Sequence, residues 1–122
     1  MVAVTETFLG STGESARRVT NLGSTTILPS SFALETNFPN PFNPSTSIEY
    51  ALPVAAPVLL NVYDVLGQKI RVLVSDSNHK AGYHSMTWDG RDDNGRMVGS
   101  GLYLYRLQAG DFTKVRKMTL LK

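Results

Sequence analysis

From Phe32 onward the sequence is a series of short runs in which apolar and polar residues alternate, separated by turns rich in Gly, Asp and Pro. Ser47–Leu52 is typical, because Ile48, Tyr50 and Leu52 share one face of an extended chain. No window has the period of about 3.6 residues that marks an amphipathic helix. The pattern therefore predicts an all-β fold. The predicted strands are Ser47–Leu52, Val58–Tyr63, Gln68–Val74, Tyr83–Trp88, Arg96–Val98, Leu102–Leu107 and Phe112–Leu121.

The spacing of these runs predicts how the strands assemble. About seven antiparallel strands within residues 32–122 match an immunoglobulin-like β-sandwich, in which two sheets share one core. Trp88 is the single tryptophan, and it shares the inward face of its strand with His84 and Met86. We therefore expect Trp88 at the centre of the core. Further inward positions are Val58, Leu60, Val62, Tyr103, Tyr105, Leu107, Met118 and Leu120.

Residues 1–31 differ from the rest of the chain in composition. They are rich in Ser, Thr and Gly, and their apolar residues follow no sustained period. A segment of this kind buries too little surface to offset its conformational entropy. It is predicted to be a flexible linker with one short strand near Ser24–Leu28, so the folded domain is predicted to span residues 32–122.

The segment NFPNPFNPSTSIEYALP contains the prolines that precede the first long strand. Pro39, Pro41 and Pro44 restrict the backbone, so the segment is predicted to be a stiff, extended lead-in. Phe38 and Phe42 are expected to clamp it against an edge of the sandwich. Prolines at such an edge also discourage pairing with another chain.

The bulk composition excludes several classes of protein. The chain has no cysteine, which excludes a disulfide framework, a thiolate zinc site and a cysteine nucleophile. Its net charge is +2, from 12 basic and 10 acidic residues, which gives no argument for nucleic acid as a partner. No apolar run approaches the roughly 20 residues that span a bilayer. The first residues lack the basic and apolar regions of a signal peptide.

The turn DGRDDNG holds Asp89, Asp92 and Asp93, whose carboxylates are the ligand type that calcium prefers. Their spacing does not match the calcium-binding loop, and Asp and Asn favour turns in any case, so they are weak metal candidates. His79 and His84 fall in a predicted loop and a predicted strand, which places them poorly for a shared metal. We expect no metal site and no cofactor.

Catalysis is not expected either. Nothing resembles a nucleophile elbow, and Glu35 and Glu49 are the only glutamates beyond residue 31. Glu49 faces outward from its strand, so paired catalytic carboxylates are not expected. The chain is predicted not to be an enzyme and to have no small-molecule substrate.

Four tyrosines leave open a different function, that of a carbohydrate-binding or adhesive β-sandwich module of a secreted enzyme. Flat aromatic side chains on a sandwich can stack against sugars. Two of the candidates share a face with Leu107 and are better explained as core residues. The four candidates are Tyr63, Tyr83, Tyr103 and Tyr105.

The last predicted strand, FTKVRKMTLLK, is unusually basic. Met118 and Leu120 point to the core, whereas the basic side chains fall at Lys114, Arg116, Lys117 and Lys122. An edge strand protected by lysines explains this pattern. A terminal signal that other proteins recognise explains it as well.

Four segments carry a resemblance to a known family: LPSSFALETNFPNPFNPSTSIEYALP, NVYDVLGQKIRVLV, AGYHSMTWDGRDDNGRMVGSGLYLYRLQAG and KVRKMTLLK. In unbroken order over about residues 28–122, they resemble the C-terminal sorting domain of type IX secretion, type A. That family is itself similar to the immunoglobulin-like domain of the flagellar hook-capping protein. A role as a cap component would require a separate region for oligomerisation.

The resemblance implies a function. Domains of this family direct an N-terminal passenger protein from the periplasm through an outer-membrane translocon, and a sortase-like peptidase commonly removes them. The passenger is then secreted or attached to the cell surface. Residues 1–31 would be the linker to that passenger and would include the cleavage region. The segments that the family uses for recognition fall on Gly101, Tyr103, Tyr105, Leu107, Lys117, Met118, Leu120, Leu121 and Lys122.

Overall fold

The computed structural model describes the backbone of residues 4–9, 15–21 and 24–122, and the side chains of residues 27–122. These residues form ten strands and no helix. Consequently, none of them lies in a helix that could cross a membrane. The strands are β1 Val4–Leu9, β2 Ser15–Asn21, β3 Ser24–Pro29, β4 Ala33–Leu34, β5 Thr46–Leu52, β6 Ala56–Tyr63, β7 Lys69–His79, β8 Gly82–Trp88, β9 Gly101–Ala109 and β10 Phe112–Leu120.

Strands β4 to β10 form the two sheets of a sandwich. One sheet has the order β10-β9-β6-β7 and the other has the order β4-β5-β8, and every pair is antiparallel. Seven strands in two antiparallel sheets confirm the predicted all-β, immunoglobulin-like sandwich.

The core lies between the inner faces of these two sheets. Trp88 is 0% exposed and packs against Phe42 and Tyr103, with ring centroids 5.6 and 5.4 Å away. Its indole nitrogen donates to the carbonyl oxygen of Arg91 at 2.9 Å, so the buried polar atom has a partner. The prediction that Trp88 lies in the core is confirmed. Of the other predicted inward residues, His84 and Met86 are half-buried. The remaining ones are buried: Ile48, Tyr50, Leu52, Val58, Leu60, Val62, Tyr103, Tyr105, Leu107, Met118 and Leu120.

Two predicted strands differ from the structure. Arg96–Val98 is not a strand, because the chain from Asp92 to Gly95 closes a tight turn and leaves a single bridge between Arg91 and Met97. The seventh strand of the sandwich is instead β4, which is too short to show an alternating pattern. The third predicted strand, Gln68–Val74, extends as β7 through the polar run to His79. The polar run lacks a loop's irregular backbone and continues the strand, but its side chains are mostly exposed, so the sequence shows no apolar alternation there.

Strands β1, β2 and β3 form a separate antiparallel sheet in that order. The strand predicted near Ser24–Leu28 is confirmed as β3, whereas β1 and β2 were not predicted. Residues 1–3, 10–14 and 22–23 of the predicted linker lie outside the described residues. The linker role of residues 1–31 and the domain boundary at residue 32 stay predictions.

Trypsin can test that boundary, because Arg17 and Arg18 are followed by no other basic residue until Lys69. If residues 1–31 are an accessible linker, limited digestion should cut first after Arg17 or Arg18 and leave a resistant fragment that ends at Lys122. Mass spectrometry of the early products gives the answer. First cleavage after Lys69 or Lys80 would contradict the boundary.

Of the two phenylalanine side chains in the proline-rich segment, one is buried against the sandwich and the other is exposed. Phe42 is 1% exposed and contacts Trp88, whereas Phe38 is 79% exposed. The prediction that both side chains clamp the segment is therefore correct for Phe42 and wrong for Phe38. Phe38 is held through its backbone, which exchanges two hydrogen bonds of 2.8 and 2.9 Å with Ser47.

These two phenylalanines form a matched pair for a stability measurement. Phe42→Ala should lower the free energy of unfolding by about 3–5 kcal/mol, because it leaves a cavity beside Trp88. Phe38→Ala should change it by no more than about 0.5 kcal/mol. Urea denaturation followed by tryptophan fluorescence measures both values. Equal losses in the two variants would show that Phe42 is not the anchor of the segment.

Candidate functional site

The C-terminal strand lies at an edge of the sandwich. β10 is the outer strand of the four-stranded sheet and pairs only with β9 among the named strands, from Phe112 opposite Ala109 to Leu120 opposite Gly101. The two strands are joined by a tight turn at Gly110, whose φ of 57° is a left-handed conformation that favours glycine. The sequence interpretation of β10 as an edge strand is confirmed.

Most of the predicted recognition residues lie inside the sandwich. The hydroxyl of Tyr103 donates to the carbonyl of Gly99 at 2.7 Å, and that of Tyr105 donates to the carbonyl of Glu35 at 2.7 Å. Burial raises the pKa of Tyr105 to about 12, so its phenol is neutral at physiological pH. Such side chains belong to the core of the sandwich. The buried members are Tyr103, Tyr105, Leu107, Met118 and Leu120.

The remaining predicted recognition residues are accessible. Lys117, Leu121 and Lys122 are exposed, with Leu121 at 53%, and Gly101 is half-buried at the start of β9. The Lys122 amide donates to the Ser100 hydroxyl at 3.0 Å, which fixes the end of the chain beside the β8–β9 connection. The structure thus separates the predicted set into a buried group and an exposed group.

The proline-rich segment covers the last part of the β10 edge. The Phe42 amide donates to the Thr119 carbonyl at 2.9 Å, and the Leu121 amide donates to the Phe42 carbonyl at 3.0 Å. This is a parallel bridge, and the Asn40 side chain adds a bond from the Thr119 amide at 3.0 Å. The covered stretch is therefore Thr119–Leu121.

Basic side chains follow the part of β10 that precedes this stretch. Lys114 and Lys117 are exposed, and Arg116 is half-buried, with its guanidinium donating to the Leu34 carbonyl. Asp111 is the acidic residue nearest to them in sequence. The edge therefore presents an excess of positive charge.

At the opposite edge of the same sheet, the Asp-rich turn contacts β7. The Asp93 amide donates to the Ile70 carbonyl at 2.9 Å, and the Asp93 carboxylate accepts the Val72 amide at 3.0 Å. Asp92 accepts two amides within the turn, and Asp89 binds the Arg71 guanidinium at 3.2 Å. The three weak calcium candidates thus act as hydrogen-bond acceptors for the turn and for β7. Over residues 27–122, no three His, Cys, Asp or Glu side chains come together as a metal site.

His79 and His84, which are predicted to be poorly placed for a shared metal, have their rings in contact. Their ring centroids are 4.0 Å apart, and the His79 ring shares a hydrogen bond of 2.7 Å with the Tyr50 hydroxyl. The assignment of His79 to a loop is wrong, because β7 continues to His79 and a short turn then leads into β8. His84 also bonds the Lys80 carbonyl at 2.8 Å.

Burial lowers the pKa of His79, and the neighbouring His84 lowers it further, while Asp76 opposes the change. In the unfolded chain the pKa of a histidine is about 6.5. The folded protein therefore binds this proton less readily than the unfolded chain, and its free energy of unfolding should fall as the pH drops below about 6.5.

This pH effect can be isolated with His79→Gln, which removes the titrating group. Between about pH 7.5 and about pH 5.5, the Tm of the original protein should fall more than that of the variant. Calorimetry measures both, and NMR titration of His79 gives its pKa directly. A pKa at or above about 6.5, or identical Tm profiles, would contradict the expected effect.

The four tyrosines proposed for carbohydrate binding do not form one surface. Tyr103 and Tyr105 are buried, as the sequence interpretation favoured, and Tyr63 lies under the Arg106 guanidinium at 4.9 Å from the ring centroid. Tyr83 is 52% exposed on β8, in the other sheet. It borders a depression of about 380 Å³ that is also lined by Glu35, Glu49, Tyr50, Ala51, His84 and Ser85.

The two antiparallel sheets formed by β4 to β10 define an immunoglobulin-like module. Residues 43–111, more than half of the 122-residue chain, match the family described as the FlgD Ig-like domain. The chain therefore belongs to the FlgD Ig-like domain family. No curated protein matches it significantly.

Three solved structures are similar to the chain. Dimeric latent PorU from Porphyromonas gingivalis aligns at 16% identity over 99% of this chain and 12% of its own, with a TM-score of 0.58. PorZ, an essential bacterial surface component of the type IX secretion system of the same organism, aligns at 14% identity over 88% and 15%, with a TM-score of 0.52. FlgD from P. aeruginosa aligns at 28% identity over 62% and 58%, with a TM-score of 0.47. The chain thus spans less than two thirds of each protein, and PorU and PorZ share its fold.

Proposed function

We propose that this chain is a non-catalytic sorting domain that directs a passenger protein through the type IX outer-membrane translocon. Membership of the FlgD Ig-like domain family supports the proposal, because the sorting domains that the sequence resembles have the same kind of fold. The fold that the chain shares with PorU and PorZ is consistent with it, since PorZ is a surface component of that system.

The observation that carries the proposal is the position of the C-terminal residues. Leu121 and Lys122 are exposed at the end of an edge strand, while Met118 and Leu120 in the same strand anchor that end to the core. A sorting domain needs a segment that a translocon can reach. The exposed Leu121 and Lys122, held in place by the buried residues before them, are suited to this role.

The division of roles follows from burial. Tyr103, Tyr105 and Leu107, with Met118 and Leu120, hold β9 and β10 on the core. The translocon contacts would fall on Lys117, Leu121 and Lys122, and on the backbone at Gly101.

The proposal extends to the partners and the destination. Residues 1–31 would link the domain to an N-terminal passenger and contain the bond that a sortase-like peptidase cuts. The passenger would pass through the periplasm and the outer membrane and would be secreted or attached to the cell surface.

Reporter export can test the sorting role without unfolding the domain. Deleting Lys117–Lys122 would remove Met118 and Leu120 from the core and confound export with folding. Deleting Leu121 and Lys122 removes exposed residues instead, and it should trap a periplasm-targeted reporter fused ahead of the 122-residue chain in a type IX host. Protease accessibility on intact cells and reporter activity in the medium measure its location.

Val54→Ser is the matched control, because Val54 is 55% exposed in the turn between β5 and β6, at the opposite end of the four-stranded sheet from Leu120. That variant should be exported like the unaltered fusion. The Tm of each purified domain should change by only a few degrees, which would show that the fold is intact. Normal export of the fusion that lacks Leu121 and Lys122 would count decisively against the proposed role.

The depression beside Tyr83 favours a second candidate function, a carbohydrate-binding or adhesive module. An exposed aromatic ring next to the carboxylates of Glu35 and Glu49 and the hydroxyl of Ser85 has the chemistry to contact sugar faces and hydroxyls. Binding on a glycan array that Tyr83→Ala abolishes would support this function. It is compatible with the fold and independent of the C-terminal residues.

A further inference from the structure

β10 has an open backbone edge between Thr113 and Lys117. Thr119 uses both its amide and its carbonyl away from β9, toward Asn40 and Phe42. Hydrogen-bonding direction alternates along a strand, so the amides and carbonyls of Thr113, Val115 and Lys117 also point away from β9. Among the described residues, no backbone group bonds to them.

The side chains around this edge leave room for another strand. Thr113, Lys114, Val115 and Lys117 are all exposed. Val115 is 48% exposed and borders a shallow depression of about 200 Å³ on the outer face of the sheet. The depression is also lined by Tyr63, Gly67, Leu104 and Arg106, so it can take one apolar side chain.

The basic side chains along β10 determine which kind of strand can pair with its open edge. A second copy that paired antiparallel about Val115 would place Lys114 of each copy opposite Arg116 of the other, and like charges in that position repel. Acidic side chains opposite Lys114, Arg116 and Lys117 would instead be attracted. Charge complementarity therefore favours an acidic partner over self-pairing.

From this geometry we infer that Thr113–Lys117 binds an extended, acidic segment of another protein, which adds to the four-stranded sheet as a strand beside β10. Main-chain hydrogen bonds to Thr113, Val115 and Lys117 supply the affinity. Acidic side chains contact the basic residues, and one apolar side chain packs on Val115. The inference goes beyond the proposed sorting role and does not require it, because it concerns only what this edge binds.

Val115→Pro tests the backbone edge without removing a hydrogen bond inside the fold. The Val115 amide points away from β9, so Val115→Pro removes a donor that the domain does not use internally. The strand conformation that proline requires of the preceding residue is already present at Lys114. Val115→Thr is the matched control, because it keeps the amide and a β-branched side chain at the same site.

The probe is a synthetic peptide of about seven residues in which glutamate alternates with valine or threonine. A second peptide has lysine in place of glutamate. Fluorescence anisotropy at about 50 mM salt should show binding of the acidic peptide and none of the basic one, and the affinity should fall severalfold at about 500 mM salt. Val115→Pro should lower the affinity about tenfold or more, while Val115→Thr should retain it.

Charge reversal tests the contribution of the basic side chains independently. Replacing Lys114 and Lys117 together by Glu should also lower the affinity about tenfold or more, because the acidic peptide is then repelled. Lys69→Glu changes the same charge at the opposite edge of the sheet, on β7, and should leave binding unchanged.

Hydrogen exchange distinguishes pairing through the backbone of β10 from a contact that is only electrostatic. In the free protein, the amides of Thr113, Val115 and Lys117 should exchange fast, and those of Lys114 and Arg116 slowly, because the latter pair with β9. The acidic peptide should protect the first group selectively. No binding at about 1 mM peptide, equal binding to Val115→Pro, protection confined to another face, or self-association of the protein in place of peptide binding would each overturn the inference.

Discussion

The contact of Trp88 with Phe42 and Tyr103 is the interaction on which the rest of the structure depends. These three aromatic side chains come from β8, from the proline-rich segment and from β9, so one cluster joins both sheets and the lead-in between them. A fully buried aromatic side chain contributes several kcal/mol that few other contacts in a domain of this size can replace. Because Phe42 is fixed by this cluster, its backbone is in place to bond Thr119 and Leu121.

The alternating pattern was enough to predict the sandwich and its inner faces. Ile48, Tyr50 and Leu52 are buried as the period of two requires, and Trp88 was recognisable as the lone tryptophan on an inward face. What the pattern could not supply was information that depends on distant residues. β4 is defined only by its pairing with β5, and β7 extends past Val74 because Ala56 pairs with His79. No local signal in either segment indicates those partners.

The candidate site shows the same limit. The sequence indicated a basic last strand with Met118 and Leu120 pointing inward, and both are buried. The resemblance to a family assigned recognition to whole segments, which mixed core residues such as Tyr105 with exposed ones such as Lys122. The alternation of inward and outward positions along β9 and β10 separates the two groups, and the burial of the inward side chains confirms it. The contact of His79 with His84 was likewise invisible, because it depends on how the chain crosses between the sheets.

Phe42 has a further consequence for solubility. The open part of β10 carries Lys114, Arg116 and Lys117. Such charges discourage an unpaired edge strand from pairing with the edge strand of another copy. After Lys117 the strand reads Met-Thr-Leu-Leu, with no charge to protect it, and the part of it that follows Met118 is what the proline-rich segment covers. Loss of the Phe42 anchor would therefore do more than weaken the core. It would expose an uncharged β-edge and favour aggregation of otherwise intact sandwiches.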